Sequence, residues 1–390
     1  MPSRRHVLAL LAATPFAASA CDSPPDYAAS WRSPGAGEAD PRRFALAHAI
    51  LAPNPHNTQL WLVEFDGEDS MTHYCDLERR LPFTDPLDRQ ITMGCGAFLE
   101  LYMLAAISLG FECEFTPFPG GEPTGRLDAR PLARIRIKRP PANTTARPVP
   151  ADRVHLSFAY RFSQIGMRRT NRNDYDASRT PPEHEITRIR EAAEAHGDVK
   201  VSHAVAAPHV AQLRDLVWRA FDREMHTRGA QEETYQWLRF GKAERARQRD
   251  GLYIDVLVPG LLRAIGMLDR EDIVNPDSDA NKQAAADWRR KAESAPAFMW
   301  LATPDDTPTA RLRAGMVYAT MNLCATAAGL AMHPWSQALQ EYEEMADLYT
   351  EAKTLLGASA GETVQMLVRV GYADSVEPAA RRDVADFARA

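Results

Sequence analysis

Three short segments combine residue types whose spacing could do chemistry. The first is Ala52-Pro53-Asn54-Pro55-His56-Asn57-Thr58-Gln59-Leu60-Trp61, where two prolines stiffen a loop with Asn and Gln amides at its exit. Amides pair donors with acceptors, which suits the edge of a heteroaromatic ring bearing carbonyls and ring nitrogens. A capped turn would use the same residues. The second segment, Arg168-Arg169-Thr170-Asn171-Arg172, places three guanidinium groups and a hydroxyl within five residues. Forked guanidinium donors suit a phosphate dianion; a solvated basic turn is the plainer alternative. The third, Arg381-Arg382, could close on the same anion or be surface charge.

Other motifs carry less. Gly357-Ala358-Ser359-Ala360-Gly361 matches the G-x-S-x-G of serine hydrolases, but that motif needs a strand before it and a helix after it. Here the pattern predicts a helix over Glu351–Leu356 and a strand over Thr363–Val370, the reverse order. The histidines are scattered without H-E-x-x-H. The five cysteines form no C-x-x-C pair and no zinc spacing. Cys95, Cys113 and Cys324 lie in apolar runs and read as core thiols. A net charge of −6 with interspersed signs argues against a nucleic-acid partner.

The elements that must position these segments follow from periodicity. A helix is expected from Pro41 towards Ile50, strands over Gln59–Phe65 and His73–Asp76, and a largely buried helix from Asp85 to Gly110. Phe111–Phe115 and Ala133–Lys138 are strand candidates. Residues 139–151 are Pro-rich and read as a linker between two halves, 41–138 and 152–390. Helices are expected from about Arg153 to Gln164, from Pro182 to His196, and over Ala207–His226, Gln283–Glu293 and Thr309–Ala328. Val199–Ala204 and Phe298–Ala302 read as strands. Residues 227–275 are polar and irregular. The segments from Gly96 to Gly110 and from Gly315 to Gly329 share their Gly-to-Gly spacing and apolar character. They form an internal repeat of two helices that could pack face to face, each ending in a Gly suited to a left-handed cap.

Residues 1–21 read as a targeting segment. Arg4 and Arg5 precede a short apolar run, Val7–Ala13, and Ala18-Ser19-Ala20 offers a cleavage site. The Ser3–Leu8 stretch resembles a twin-arginine (Tat) export signal, implying a Tat translocase partner and a periplasmic or extracytoplasmic location. Cys21 could be a lipidated, membrane-anchoring cysteine, although Ala18 stands where lipoproteins usually have Leu. Residues 22–40 read as a flexible tether.

Taken together, APNPHNTQLW at 52–61, RRTNR at 168–172, Gly329 followed by His333-Pro334-Trp335-Ser336, Gly371-Tyr372 and Arg381-Arg382 resemble the nitroreductase family of FMN-dependent oxidoreductases. The order departs from ordinary members, where the arginine segment precedes the A-P-S-x-x-N loop. Here the loop comes more than a hundred residues earlier. The place where a second loop would stand, Ala195-His196-Gly197-Asp198-Val199, lacks the Asn/Gln signature. The chain thus resembles a family homodimer fused into one polypeptide, an α+β pseudo-dimer with long central helices. The HNTQ spelling and the TDPLDRQ segment at 84–90 are similar to the Acg-like subgroup.

The resemblance implies one composite FMN site. Arg168, Thr170 and Arg172 would face the phosphate and ribityl chain, with Arg382 and Arg381 completing the phosphate site. Pro53, Asn54, Pro55 and Asn57 would line the isoalloxazine, and backbone groups of Pro334, Trp335, Ser336 and Gln337 would approach its N5 edge. It also implies hydride or electron transfer to a small-molecule acceptor. Export would require an electron donor other than NAD(P)H. The alternatives are a protein that stores or sequesters FMN beneath a lid, for which 227–275 is the candidate, and a fold that has lost flavin binding.

Overall fold

Asp40 opens the first long helix: its carboxylate accepts from the Arg42 N–H, and Pro41 occupies the first turn. The computed structural model describes residues 26–141, 157–254 and 269–389. After a short helix α1 (Ala29–Arg32), helix α2 runs Pro41–Ala49. Strands β1 (Trp61–Asp66) and β2 (Ser70–Cys75) form a hairpin. Helix α3 (Arg89–Ser108) follows, then β3 (Glu112–Pro117) and β4 (Ala133–Lys138). In β4 buried Ala133, Ile135 and Ile137 alternate with exposed arginines, the signature of a sheet packed on one face.

The second half begins with α4 (Phe158–Ser163), α5 (Glu183–Glu194) and β5 (Lys200–Ala204). A long excursion then carries α6 (Ala207–His226), α7 (Arg228–Trp237), β6 (Leu238–Phe240), α8 (Gly241–Gln248), β7 (Leu252–Ile254), α9 (Arg270–Val274) and α10 (Asp279–Glu293). The chain returns as β8 (Ala297–Thr303), α11 (Pro308–Ala327), β9 (Ala331–Pro334), α12 (Ala346–Leu355) and β10 (Thr363–Gly371). Strands β8 and β10 are buried throughout because separate apolar clusters cover both faces of their sheet.

The two sheets share one plan. Each half runs helix, strand, strand, central helix, strand, strand. The strand orders are β1-β2-β4-β3 and β5-β8-β10-β9, all antiparallel. The central helices α3 and α11 cross at the two repeat glycines. A Cβ on Gly96 would lie 1.9 Å from the Leu312 carbonyl oxygen, and one on Gly315 would lie 1.9 Å from that of Met93. Only residues without side chains allow this approach. Gly110 (φ +83) and Gly329 (φ +69) adopt the left-handed conformation expected of helix caps. Among the described residues α3 alone is long and apolar enough to cross a membrane, and it is core here.

Two expectations need correction. The tether is folded from Asp26 onward. Trp31 is buried, its indole N–H donates to the Ala379 carbonyl (2.8 Å), and its ring meets Arg168, Arg169 and Arg381. One buried indole outweighs a Gly/Pro/Ser-rich composition. The stretch 227–275 is largely helical in its described part. Its inward face carries Gln231, Glu233, Arg239, Arg245 and Asp250 in place of apolar side chains. The Arg239–Asp250 pair (2.7 Å) is part of that face. Residues 1–25, 142–156 and 255–268 lie outside the described residues, and with them the targeting segment, Cys21 and most of the linker. Cys95 and Cys324 are buried thiols as expected, and Cys113 is half-buried.

Candidate functional site

The loop after α2 is built on backbone that favours glycine but contains none. His56 (φ 46), Asn57 (φ 53) and Gln59 (φ 52) are all left-handed. Side-chain amides hold them there. Asn54 Oδ1 accepts from the Gln59 N–H (2.8 Å). Asn57 Oδ1 accepts from Arg381 (2.7 Å), and its Nδ2 donates to the carbonyls of Gly251 (3.2 Å) and Ala380 (3.1 Å). Gln59 donates to the Arg249 carbonyl and accepts from the Arg382 N–H. The Asn54 and Asn57 side chains thus shape the loop, and Asn54 stays partly accessible. Pro53 is buried, while Pro55 and His56 remain partly accessible. Gly94 of α3 backs the loop, with room for a Cβ only 3.1 Å from Pro55, and its carbonyl accepts from the Trp61 indole (3.2 Å).

The arginines divide by what they bind. All five N–H donors of Arg381 are engaged, by the carbonyls of Ile50, Leu51, Ala52 and Ala380 and by Asn57 Oδ1. It answers the open carbonyls at the C-terminal end of α2, so it is a lock on the loop and has no donor left for a phosphate. Arg382 likewise turns to the Gln59 carbonyl (2.6 Å) and the Phe387 ring. The C-terminal segment thus crosses over the loop and holds it, while the buried Nε of Arg382 has no partner among the described residues.

Arg168 behaves differently. One donor reaches the Leu51 carbonyl (3.0 Å), while its buried Nε and Nη1 have no partner. Burial pulls its pKa down to about 10. Arg172 makes no hydrogen bond or ion pair among the described residues. Burial depresses its pKa although its side chain is accessible to solvent. The Arg172 guanidinium is thus solvent-accessible yet closely surrounded by protein. Its neighbours there include His56, His333 and Tyr318. Tyr318 on α11 is hydrogen-bonded by Thr170 and by Asn322, and Asn322 Oδ1 is itself without a partner. Burial and the Arg172 charge hold His56 down at about 4, so its imidazole is neutral at pH 7. Among the described residues no carboxylate is paired with Arg168 or Arg172.

The segment after β9 forms the opposite wall. The Trp335 N–H donates to the Leu367 carbonyl (2.8 Å), and the Ser336 hydroxyl both accepts from and donates to Leu367. The Trp335 ring packs with Phe221, Trp288 and His333 in the second half, so Trp335 serves the core. The backbone N–H groups of Ser336 and Gln337, at the start of a 3-10 turn (Gln337–Leu339), have no acceptor. Pro334 and Gln337 are partly accessible.

The TDPLDRQ segment anchors this wall. Thr84 and the Phe83 N–H bind Glu233 of α7. Asp85 accepts from Gln90 and Ile91 at the start of α3, and burial raises its pKa to about 6. Asp88 pairs with Arg80 and Arg126. Arg89, fully buried, donates to the carbonyls of Leu339 (2.5 Å) and Gln365 (2.6 Å) and pairs with Glu341 (2.8 Å). Sequence reasoning missed Arg89, Tyr318 and Asn322. The last two are polar residues in an otherwise apolar helix, which was the signal to find them. A separate open depression lined by Glu194, Lys200 and Glu362 shares none of these walls.

The site thus offers uncompensated cations from one half, a rigid loop from the other, and free backbone donors between them. A model of the nitroreductase family matches residues 165–372. The chain is 27% identical over 355 residues to a protein of Mycobacterium tuberculosis (strain ATCC 25618 / H37Rv), covering 89% of this chain and 90% of that one. It is 27% identical over 341 residues to that strain's "Putative NAD(P)H nitroreductase acg", covering 86% and 90%; the first relative is likewise described as a putative NAD(P)H nitroreductase. Two solved structures align more loosely. One is the FMN-dependent nitroreductase NfnB from Mycobacterium smegmatis in complex with NADPH, at 18% identity and TM-score 0.38, over 59% of this chain and 97% of that one. The other is a nitroreductase with bound FMN from Desulfitobacterium hafniense DCB-2, at 14% and 0.35, over 57% and 94%. At those scores neither bears on the site. The family model spans more than half of the residues, and the chain belongs to the nitroreductase family.

Proposed function

We propose that the chain is an FMN-dependent, nitroreductase-like oxidoreductase with one flavin held between its two halves. The observation that carries this is the pair of Arg168, buried with two unpartnered nitrogens, and solvent-accessible Arg172, neither met by a carboxylate among the described residues and both beside the loop of the other half. Unpaired buried charge is costly, and a bound phosphate dianion would compensate it. Thr170, Tyr318 and Asn322 would meet the ribityl hydroxyls, Pro55 and His56 the ring, and the Ser336 and Gln337 N–H groups its N5 edge. Bound there, FMN supplies two-electron transfer to and from a small molecule; the protein binds, orients and shields it.

Arg161, seven residues before Arg168, is by contrast met by Glu100 (3.0 Å), with Thr320 and His196 in the same network, so its charge is already neutralised by the protein.

Purified protein should show flavin absorbance or bind added FMN. Arg168→Ala with Arg172→Ala should weaken binding by tenfold or more. Unchanged occupancy in the double variant would remove the phosphate assignment. Anaerobic mixing with NADPH and with dithionite then separates the readings. Reduction by a nicotinamide or another physiological donor followed by reoxidation supports an enzyme. Reduction by dithionite alone, with no acceptor able to reoxidise the flavin, supports storage. Export through the twin-arginine route belongs to the same proposal and is tested by fractionation of an Arg4→Lys, Arg5→Lys variant.

A further inference from the structure

Buried polar atoms in folded proteins nearly always have partners, so a concentration of orphans marks a place for water or ligand. Glu224 Oε2, Thr234 Oγ1, Trp335 Nε1, Gln337 Oε1, Gln340 Oε1 and the Tyr342 hydroxyl are buried and unpartnered. They belong to one neighbourhood. The Gln337 and Gln340 amides approach the Glu224 carboxylate, and Tyr342 feels its charge. Helix α6 supplies Glu224, and α7 supplies Thr234, pinned by Glu233 to Phe83 and Thr84. Gln337 also stands in the wall of the proposed flavin pocket, so the two neighbourhoods share that residue.

We propose that this neighbourhood is the second-substrate subsite of the pocket, and that it takes an uncharged or cationic small molecule carrying hydrogen-bond donors. The assignment rests on the FMN reading above. The chemistry follows from the atoms left open. Three are amide or carboxylate oxygens, two are hydroxyls, and one is an indole N–H. The nearby cations are committed: Arg89 to Leu339, Gln365 and Glu341, and Arg223 to the Glu344 carbonyl and Asp347. Among the described residues of this neighbourhood an anionic group would face one carboxylate and two amide oxygens with no free cation to offset them, whereas an amine or hydroxyl would satisfy oxygens that otherwise stay unpaired.

Burial raises the Glu224 pKa to about 7. The groups facing it are Glu233 from α7, the Tyr342 hydroxyl, and the neutral amides of Gln337 and Gln340. On α12, Asp347 is paired with Arg223, and α10 and β8 add aromatic and aliphatic side chains to that layer. Ionisation of Glu224 therefore adds one unpaired negative charge, which an amine would meet.

The test compares tyramine with 4-hydroxyphenylacetate on FMN-loaded full-length protein, by calorimetry and by the flavin absorbance shift. At pH 8 tyramine should bind at least tenfold more tightly, and the ratio should shrink at pH 6. Glu224→Gln should weaken tyramine about tenfold and flatten its pH dependence; Thr234→Val, on α7, should weaken both probes modestly. Equal or tighter binding of the anion, binding of neither probe, or an unchanged pH dependence in Glu224→Gln overturns the subsite. Flavin content is read in every sample. A chain that never holds FMN fails the flavin reading instead, and calorimetry on that flavin-free protein still decides whether the subsite discriminates the two probes.

Discussion

The α3–α11 crossing offers the sharpest test of how the two halves are held. A methyl on Gly96 would sit 1.9 Å from the Leu312 carbonyl oxygen and 3.1 Å from the Gly315 Cα, and one on Gly315 would sit 1.9 Å from the Met93 carbonyl. Ordinary contact needs well over 3 Å, so the helices must part by roughly 1–1.5 Å along their crossing. Overpacking costs about 1–3 kcal/mol even where side chains can yield. Here both clashing atoms are backbone, while helix propensity returns only about 1 kcal/mol for Gly→Ala. Taking at least the upper end of that range for backbone that cannot yield, the net expectation is a loss of about 2 kcal/mol or more for Gly96→Ala or Gly315→Ala. The double variant should lose less than the sum, because one separation relieves both clashes. The site should suffer too, since Gly94 backs the loop two residues away. FMN affinity should fall at least tenfold in either variant. Gly94→Ala, which meets only Pro55 and Asn54 side chains, should perturb FMN binding more than melting. Thermal melts of flavin-free protein and FMN titrations measure both. Single variants with unchanged melting temperature and FMN affinity would refute the close-packed crossing.

Three further outcomes follow from particular side chains. Burial holds Glu224 at about 7 against an ordinary 4.5, so the folded state keeps a proton that the unfolded chain has lost. That stability is fully present below about pH 4.5 and is lost as pH rises through 7, by up to roughly 3 kcal/mol. Melts of flavin-free Glu224→Gln between pH 5 and 8 should be flatter than those of the parent. His56 is the opposite case. Its pKa is depressed to about 4, so its contribution is present above 6.5 and lost as pH falls towards 4; His56→Gln should soften that acid limb. Trp31→Ala should destabilise the protein by about 3–5 kcal/mol, as a buried aromatic does. A neutral result there would mean that residues 26–40 are dispensable.

Much of the element order was legible because it rests on apolar periodicity. The expected helix over Ala207–His226 is found with those bounds, and β4 spans the expected Ala133–Lys138. The repeat helices were visible as paired glycines, and their crossing explains why glycine stands there. Residues 227–275 were not legible because α7 and its neighbours bury Gln231, Glu233, Arg239 and Asp250 through hydrogen bonds and ion pairs, which leave no apolar stripe to read. At the site, residue types were legible and side-chain directions were not. Asn54, Asn57 and Arg381 look like ligand contacts in the sequence. Their use is decided by the left-handed dihedrals of His56, Asn57 and Gln59 and by the open carbonyls at the end of α2. Neither is visible until the chain is folded.

A composite site needs its two halves fixed relative to each other, and two buried arginines act across the boundary in opposite directions. Arg381, near the C-terminus, reaches into the first half and binds Ile50, Leu51, Ala52 and Asn57. Arg89, from the first half, reaches into the second and binds Leu339, Gln365 and Glu341. Each sits behind one wall of the proposed pocket: the strained loop, and the segment with the free Ser336 and Gln337 N–H groups. Replacing either by Met keeps the stem and removes the donors. That strands buried carbonyls, and in the case of Arg89 a half-buried carboxylate, at a cost of about 3–5 kcal/mol. Arg381→Met should release the left-handed backbone at His56, Asn57 and Gln59, and Arg89→Met should let the 336–341 turn relax. FMN affinity should therefore fall tenfold or more in both, although neither side chain is assigned a contact with the flavin. Lys at either position should rescue only in part, since one ammonium cannot span carbonyls that a guanidinium fork reaches together. If Arg89→Met melts lower but binds FMN within about threefold of the parent, the clamp serves stability alone and the 336–341 wall does not position the flavin.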